Sequence, residues 1–131
     1  MIKSSMRVVL ACDVRRVWET VTSLQNWAWR SDLTGLEVLD EGKFVEQAPN
    51  GAKTTFSVTG EEPCRLWAFD LENDMLRGHW RGLFSEKDGG TELVFTESVA
   101  MKKRVPGLLV RLFLKRQQAR YIKDLKKALG I

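Results

Sequence analysis

The sequence predicts an α+β domain in which a curved, seven-stranded antiparallel sheet wraps a long C-terminal helix. Three observations carry that expectation. Turn signals recur at regular intervals between Leu36 and Met101, as a meander of antiparallel strands requires. The stretch from Pro106 to Leu129 contains no internal helix breaker. No linker, repeat or low-complexity segment marks a second domain, so residues 1–131 read as one unit.

The first element is a strand within Lys3–Cys12, built on the β-compatible run RVVLA. Asp13 then offers an N-cap, and Val14, Val17, Trp18 and Val21 recur at helical spacing with Arg15, Arg16 and Glu19 opposite. Ser23, Asn26, Ser31 and Asp32 supply caps for a second short helix or turn, so two short helices are expected after the first strand. Six strands follow, divided at Glu41-Gly42, Pro49-Asn50-Gly51, Glu61-Glu62-Pro63, Asn73-Asp74 and Asp88-Gly89-Gly90. Asn50-Gly51 and Gly89-Gly90 are the strongest hairpin markers, because primed turns need positive φ. The last helix starts at a proline, whose missing N–H costs nothing there, and stops at Gly130.

Composition narrows the classes of function. A chain of 131 residues, 44% hydrophobic and 29% charged, suits one globular domain that buries roughly two-thirds of its unfolded surface. No apolar run reaches the roughly 20 residues of a membrane span. The N-terminus reads as a strand rather than a signal peptide, which implies a cytoplasmic protein. Cys12 and Cys64 stand in no metal-ligand or dithiol spacing and are expected as buried, reduced thiols. Zinc spacings and phosphate-binding glycine loops are lacking, so no cofactor and no metal is expected. A net charge of +4 permits nucleic-acid binding, but exposed aromatics interleaved with a basic groove are not evident.

The segments ACDVRRVWETVTSLQNW, EEPCRLWAFDL and GHWRGLFSEKDGGTELVFTESV, with the closing helix, resemble the START/polyketide-cyclase-like superfamily, also called SRPBCC. The resemblance covers nearly the whole chain. It implies the helix-grip fold and a cavity for a small hydrophobic ligand such as a lipid or polyketide. It leaves open a cofactor-independent cyclase or dehydratase, since the superfamily contains carriers, receptors and enzymes and fold alone does not choose among them.

Strand parity then nominates the cavity wall, because alternate residues share a face. In Met75–Ser85 the inward face holds Leu76, Trp80 and Phe84 with Gly78 and Gly82 between them, whereas Arg77, His79 and Arg81 look outward. The glycines either bend the strand or leave room for a ligand. Phe56, Val58, Trp67, Phe69, Leu71 and Phe95 complete the expected lining. Glu97 is an acid among these apolar positions, and a buried carboxylate needs a partner or a raised pKa.

On the terminal helix Arg111 and Gln118 project onto the sheet-facing stripe of Leu114, Ile122, Leu125 and Leu129. Arg111 is therefore a candidate partner for Glu97, or snorkels to the rim; either Arg111 or Gln118 could orient a polar group of a ligand. In an enzyme Glu97 would move the proton, with Arg111 or Gln118 stabilising an enolate-like oxygen. Trp27 and Trp29 are candidate lid residues, or packing residues, at the cavity entrance. Leu109 and Phe113 fall on the outer side of the helix, within a basic and apolar stretch from Lys102 to Arg116. Such a mixture suits peripheral membrane contact or a homodimer.

Overall fold

The computed structural model describes residues 1–131. Its elements are β1 (Ile2–Leu10), α1 (Val14–Thr22), β2 (Gly35–Asp40), β3 (Lys43–Gln47), β4 (Lys53–Glu62), β5 (Leu66–Glu72), β6 (Leu76–Lys87), β7 (Gly90–Met101) and α2 (Gly107–Leu129). All seven strands join one antiparallel sheet in the order β1-β7-β6-β5-β4-β3-β2. β1 and β2 thus occupy opposite edges. The chain between them must cross the concave side, and α1 with residues 23–34 makes that crossing.

Local chemistry explains where the elements begin and end. The Asp13 carboxylate accepts the Arg16 backbone N–H at the start of α1. Gly130 closes α2 in the left-handed conformation, its N–H reaching back to the Lys126 and Lys127 carbonyls. The β6–β7 turn is centred one residue earlier than the glycine pair suggests. Asp88 and Gly89 take the positive φ values, 51° and 77°, while Gly90 pairs with Lys87.

The second short helix is absent: residues 23–34 form turns and bends. Their short polar side chains bond locally and compete with helical bonding, as when Ser23 Oγ accepts the Asn26 N–H. The segment is instead fastened to α2. Asp124 accepts from both the backbone N–H and the hydroxyl of Ser31 at 2.8 and 2.7 Å, and Arg120 donates to the Ser31 hydroxyl and carbonyl.

The main core joins the inner sheet face to α1 and the C-terminal half of α2 through Leu10, Val17, Trp18, Phe84, Leu93 and Leu125. A smaller cluster of Val99, Val110 and Leu114 holds the N-terminal half of α2. Cys12 and Cys64 are free thiols but half-buried rather than buried. Cys64 has a positive φ in the β4–β5 turn and packs, partly buried, against the main core.

Candidate cavity between the sheet and the terminal helix

Between the concave sheet and α2 lies a cavity of about 760 Å³, most of whose lining residues are apolar. Its floor is an aromatic cluster. Phe69 stacks on Trp80 at 5.0 Å and meets Phe56 and Trp67 edge-on at 5.1 Å each, while Trp80 stacks on Phe95 at 5.7 Å. The strand alternation makes this arrangement, because consecutive strands present these rings at facing register positions such as Phe69 and Trp80. Phe44 of β3, stacked on Phe56 at 5.0 Å, belongs to the same floor.

The two inward glycines of β6 make room for protein rather than ligand. A Cβ at Gly82 would stand 2.6 Å from the Trp80 indole, which folds over that position. At Gly78 it would stand 2.6 Å from the Ser98 carbonyl oxygen, where β7 approaches closely.

Of the residues nominated by strand parity and helical angle, Phe56, Trp67, Phe69, Leu71, Trp80, Phe95, Glu97 and Gln118 line the cavity, as do Trp27 and Trp29. Three do not. Phe84 is buried past the cavity's end, because β6 is long enough to run on under α1, where the ring meets Trp18 at 5.0 Å. Val58 lies beneath the β2–β3 turn, bonded through its N–H to the Gly42 carbonyl, just before a bulge in β4. Arg111 is exposed and outside the cavity wall. The first turns of α2 are anchored by Val110 and Leu114, and a residue after Val110 points about 100° away from it. Glu97 and Arg111 form no ion pair.

Leu109 and Phe113 also differ from expectation. They line the cavity while remaining 56% and 52% exposed, and Met75 in the β5–β6 turn does the same at 60%. These residues mark the open side. Gln118 is inward but already committed: its amide donates to the Ser4 carbonyl and its oxygen accepts the Ser4 hydroxyl, both at 2.8 Å. His79 is on the outer face, 2.8 Å from Asp70.

The polar wall is built around Arg30, which the sequence reading overlooked. Its guanidinium makes a two-pronged bond to Asp32 at 2.9 and 2.8 Å, reaches Glu46 of β3 at 3.3 Å, and lies 5.3 Å from the centre of the Tyr121 ring. Tyr121 in turn touches Trp29 and Phe95 edge-on at 5.5 and 5.7 Å. Burial opposes the Arg30 charge, but Glu46 and Asp32 outweigh it and hold the group above its ordinary range. Burial also raises Asp32, yet the bond and charge of Arg30 prevail and its pKa falls. For Glu46 burial wins over the same partner, and its pKa rises.

Glu97 has no such partner. Loss of solvent lifts its carboxyl to about 7, with Arg30 opposing the rise and Glu46 adding to it. Burial likewise raises Tyr121 well above the ordinary phenol range. The Trp29 Nε1–H is buried and unbonded. One signal for Tyr121 was available: it lies three residues after Gln118 and four before Leu125, inside the buried stripe. Arg30 had no comparable signal, since its partner Glu46 comes from a strand and its own position from a turn.

No group of three or more His, Cys, Asp or Glu side chains is placed to hold a metal ion. No helix is long and apolar enough to cross a membrane.

The chain matches, over residues 1–130, the family described as polyketide cyclase/dehydrase and lipid transport. No curated protein matches it in sequence. Among solved structures it is similar to a START superfamily protein from Mycobacterium smegmatis, with a TM-score of 0.85 at 15% identity over 99% of this chain and 98% of that one. A conserved protein from Geobacillus kaustophilus gives 0.87 at 14% identity, covering 98% and 95% of the two chains. DynU16, a protein in the dynemicin biosynthetic locus, gives 0.79 at 16%, covering 99% of this chain and 48% of the other.

Proposed function

The chain belongs to the polyketide cyclase/dehydrase and lipid transport family of the START/SRPBCC superfamily, and from that premise we propose that it binds a small, largely apolar molecule between its sheet and α2. The observation that carries this reading is the cavity of about 760 Å³, which falls within the usual range of small-molecule sites and is lined mainly by apolar side chains with a few polar groups at one end. Phe56, Trp67, Phe69, Leu71, Trp80 and Phe95 would form the apolar surface, with Trp27 and Trp29 on the crossing segment. Titration with the neutral, polarity-sensitive dye Nile red tests it. A saturable, blue-shifted signal near one dye per chain is expected, and it should be lost when Leu71→Trp fills the floor. Absence of saturable binding in the unmodified protein would overturn the reading.

The open side bears on how such a guest would arrive. Leu108, Leu109, Leu112 and Phe113 are each at least half exposed. From Lys102 to Lys123 the chain carries eight basic residues and no acidic one. That charge complements an anionic lipid surface, and we take such a surface as the occupant. Co-sedimentation with phosphatidylcholine vesicles containing phosphatidylserine should exceed that with phosphatidylcholine alone and should drop in Leu109→Asp/Phe113→Asp. Equal binding to both vesicles would exclude an anionic surface as the occupant. A concentration-dependent dimer abolished by the same substitutions would assign the face to a second copy instead.

One observation favours a second reading, a cofactor-independent cyclase or dehydratase. A lone carboxyl with a pKa of about 7 can both give and take a proton near neutral pH, so Glu97 would act as general acid or base. Tyr121 and the Arg30 cluster, rather than Arg111, would stand beside the developing oxyanion. Incubation with an aromatic β-hydroxyketone separates the two: a carrier returns it unchanged, whereas an enzyme yields a product lighter by one water, and Glu97→Gln stops it.

A further inference from the structure

The hydrogen-bonding groups of the cavity wall are mostly spent within the protein. Asp32 and Glu46 are both held by Arg30, Arg120 by Ser31, Gln118 by Ser4 and Asn73 by Thr54 and its own turn. Among the lining groups left without a bond, three stand together at one end: the Glu97 carboxyl, the Tyr121 hydroxyl and the buried Trp29 Nε1–H. These groups are neighbours. Tyr121 touches Trp29 on one side and Phe95 on the other, and Glu97 is two residues further along the same inward face of β7 as Phe95.

We propose that this end of the cavity selects neutral ligands presenting a carbonyl-type oxygen, which accepts hydrogen bonds from Glu97 and Tyr121, and discriminates against carboxylates. The inference rests on the binding function proposed above and adds the ligand's polar chemistry. Two features of the wall support it. Each free group can donate a hydrogen bond, Glu97 because burial keeps its carboxyl protonated up to about 7. Neither lining arginine offers a buried, unpaired charge: Arg30 already faces two carboxylates, and Arg120, which forms no ion pair, is exposed and bonded to Ser31. A ligand carboxylate would enter beside Glu97 and Glu46 with no buried, unpaired cation, and an uncompensated buried charge is far costlier than a bonded carbonyl.

Three probes sharing one ring make the test: a dimethylaminonaphthyl ethyl ketone, the corresponding naphthoic acid, and the dimethylaminonaphthalene parent. At pH 6.0, where the Glu97 carboxyl is mostly protonated and the naphthoic acid is ionised, the ketone should bind about tenfold more tightly than the parent, with the acid weakest. Glu97→Ala should remove most of the ketone's advantage over the parent, measured as the ratio of the two affinities in the same variant. Glu97→Gln, whose amide still donates, should keep most of the ketone's advantage. If the acid binds as tightly as the ketone, or Glu97→Ala leaves the ketone's advantage intact, the selectivity is wrong while the cavity reading stands. Failure of all three probes to bind would remove the cavity reading and this inference with it.

Discussion

The two ends of the concave face are made from the same strands yet are finished in opposite ways. Under α1, Leu10, Val17, Phe84, Leu93 and Leu125 are at most 3% exposed and fill the space between sheet and helices. Under the first half of α2 the helix stands off the sheet on Val110 and Leu114, and the aromatic floor faces a cavity. Strand parity treats Phe84 and Trp80 alike. What separates them is the crossing helix above one and not the other, so the closed end supplies stability while the open end is free to hold a guest.

The contrast can be broken first at the closed end. Phe84→Ala removes a ring packed on Trp18 and should cost about 3–5 kcal/mol, seen as a large fall in the denaturation midpoint. A cost below about 1 kcal/mol would mean that this end is not the anchor. At the open end the most sensitive residue is polar. Arg30→Ala leaves Glu46 buried without its partner and should cost roughly 3 kcal/mol, and adding Glu46→Gln should recover a good part of it.

Glu97 sharpens the comparison through pH. Its folded pKa is about 7 against an ordinary 4.5, so the folded protein holds a proton that the unfolded chain has already released. Its contribution should therefore lower stability as pH rises from about 4.5 to about 7, by about 3 kcal/mol in all, and become level above that. Denaturation of the protein beside Glu97→Gln isolates this contribution, which the variant should lack. Identical pH profiles would show the carboxyl to be solvated. The smallest effect is expected at Arg111→Ala, which should alter stability by less than about 0.5 kcal/mol, because the side chain is exposed and has no partner across the cavity.

The fold was legible because its signals are local. Turn residues at Gly42, Gly51 and Asp88-Gly89, the Asp13 cap, the Gly130 stop and the period-two rings of β5 and β6 each depend on a few neighbouring residues. The second short helix was misread because Ser23, Asn26 and Ser31 cap helices and build turns equally well. Their choice here includes Asp124, which lies 93 residues beyond Ser31. The polar wall was less legible still. Helical angles place Arg111 on the sheet side of an ideal helix, but they do not say where along its length a helix meets the sheet. Arg30 is invisible to periodicity, since its position comes from a turn and its partner from β3.

The pairing of β1 with β7 has a consequence for how the chain reaches this state. Ile2 is opposite Val99, and the Ser4–Gln118 bonds join residues 114 apart, so the edge that steadies α2 is closed by the two ends of the chain. The meander β2–β7 and α2 can gather through short hairpin loops, but β1 must search across nearly the full length. Contacts of such separation slow folding, and a time of milliseconds to seconds is expected rather than the microseconds of helical bundles. During synthesis β1, made before the rest of its sheet, would be among the last of these strands to find its place.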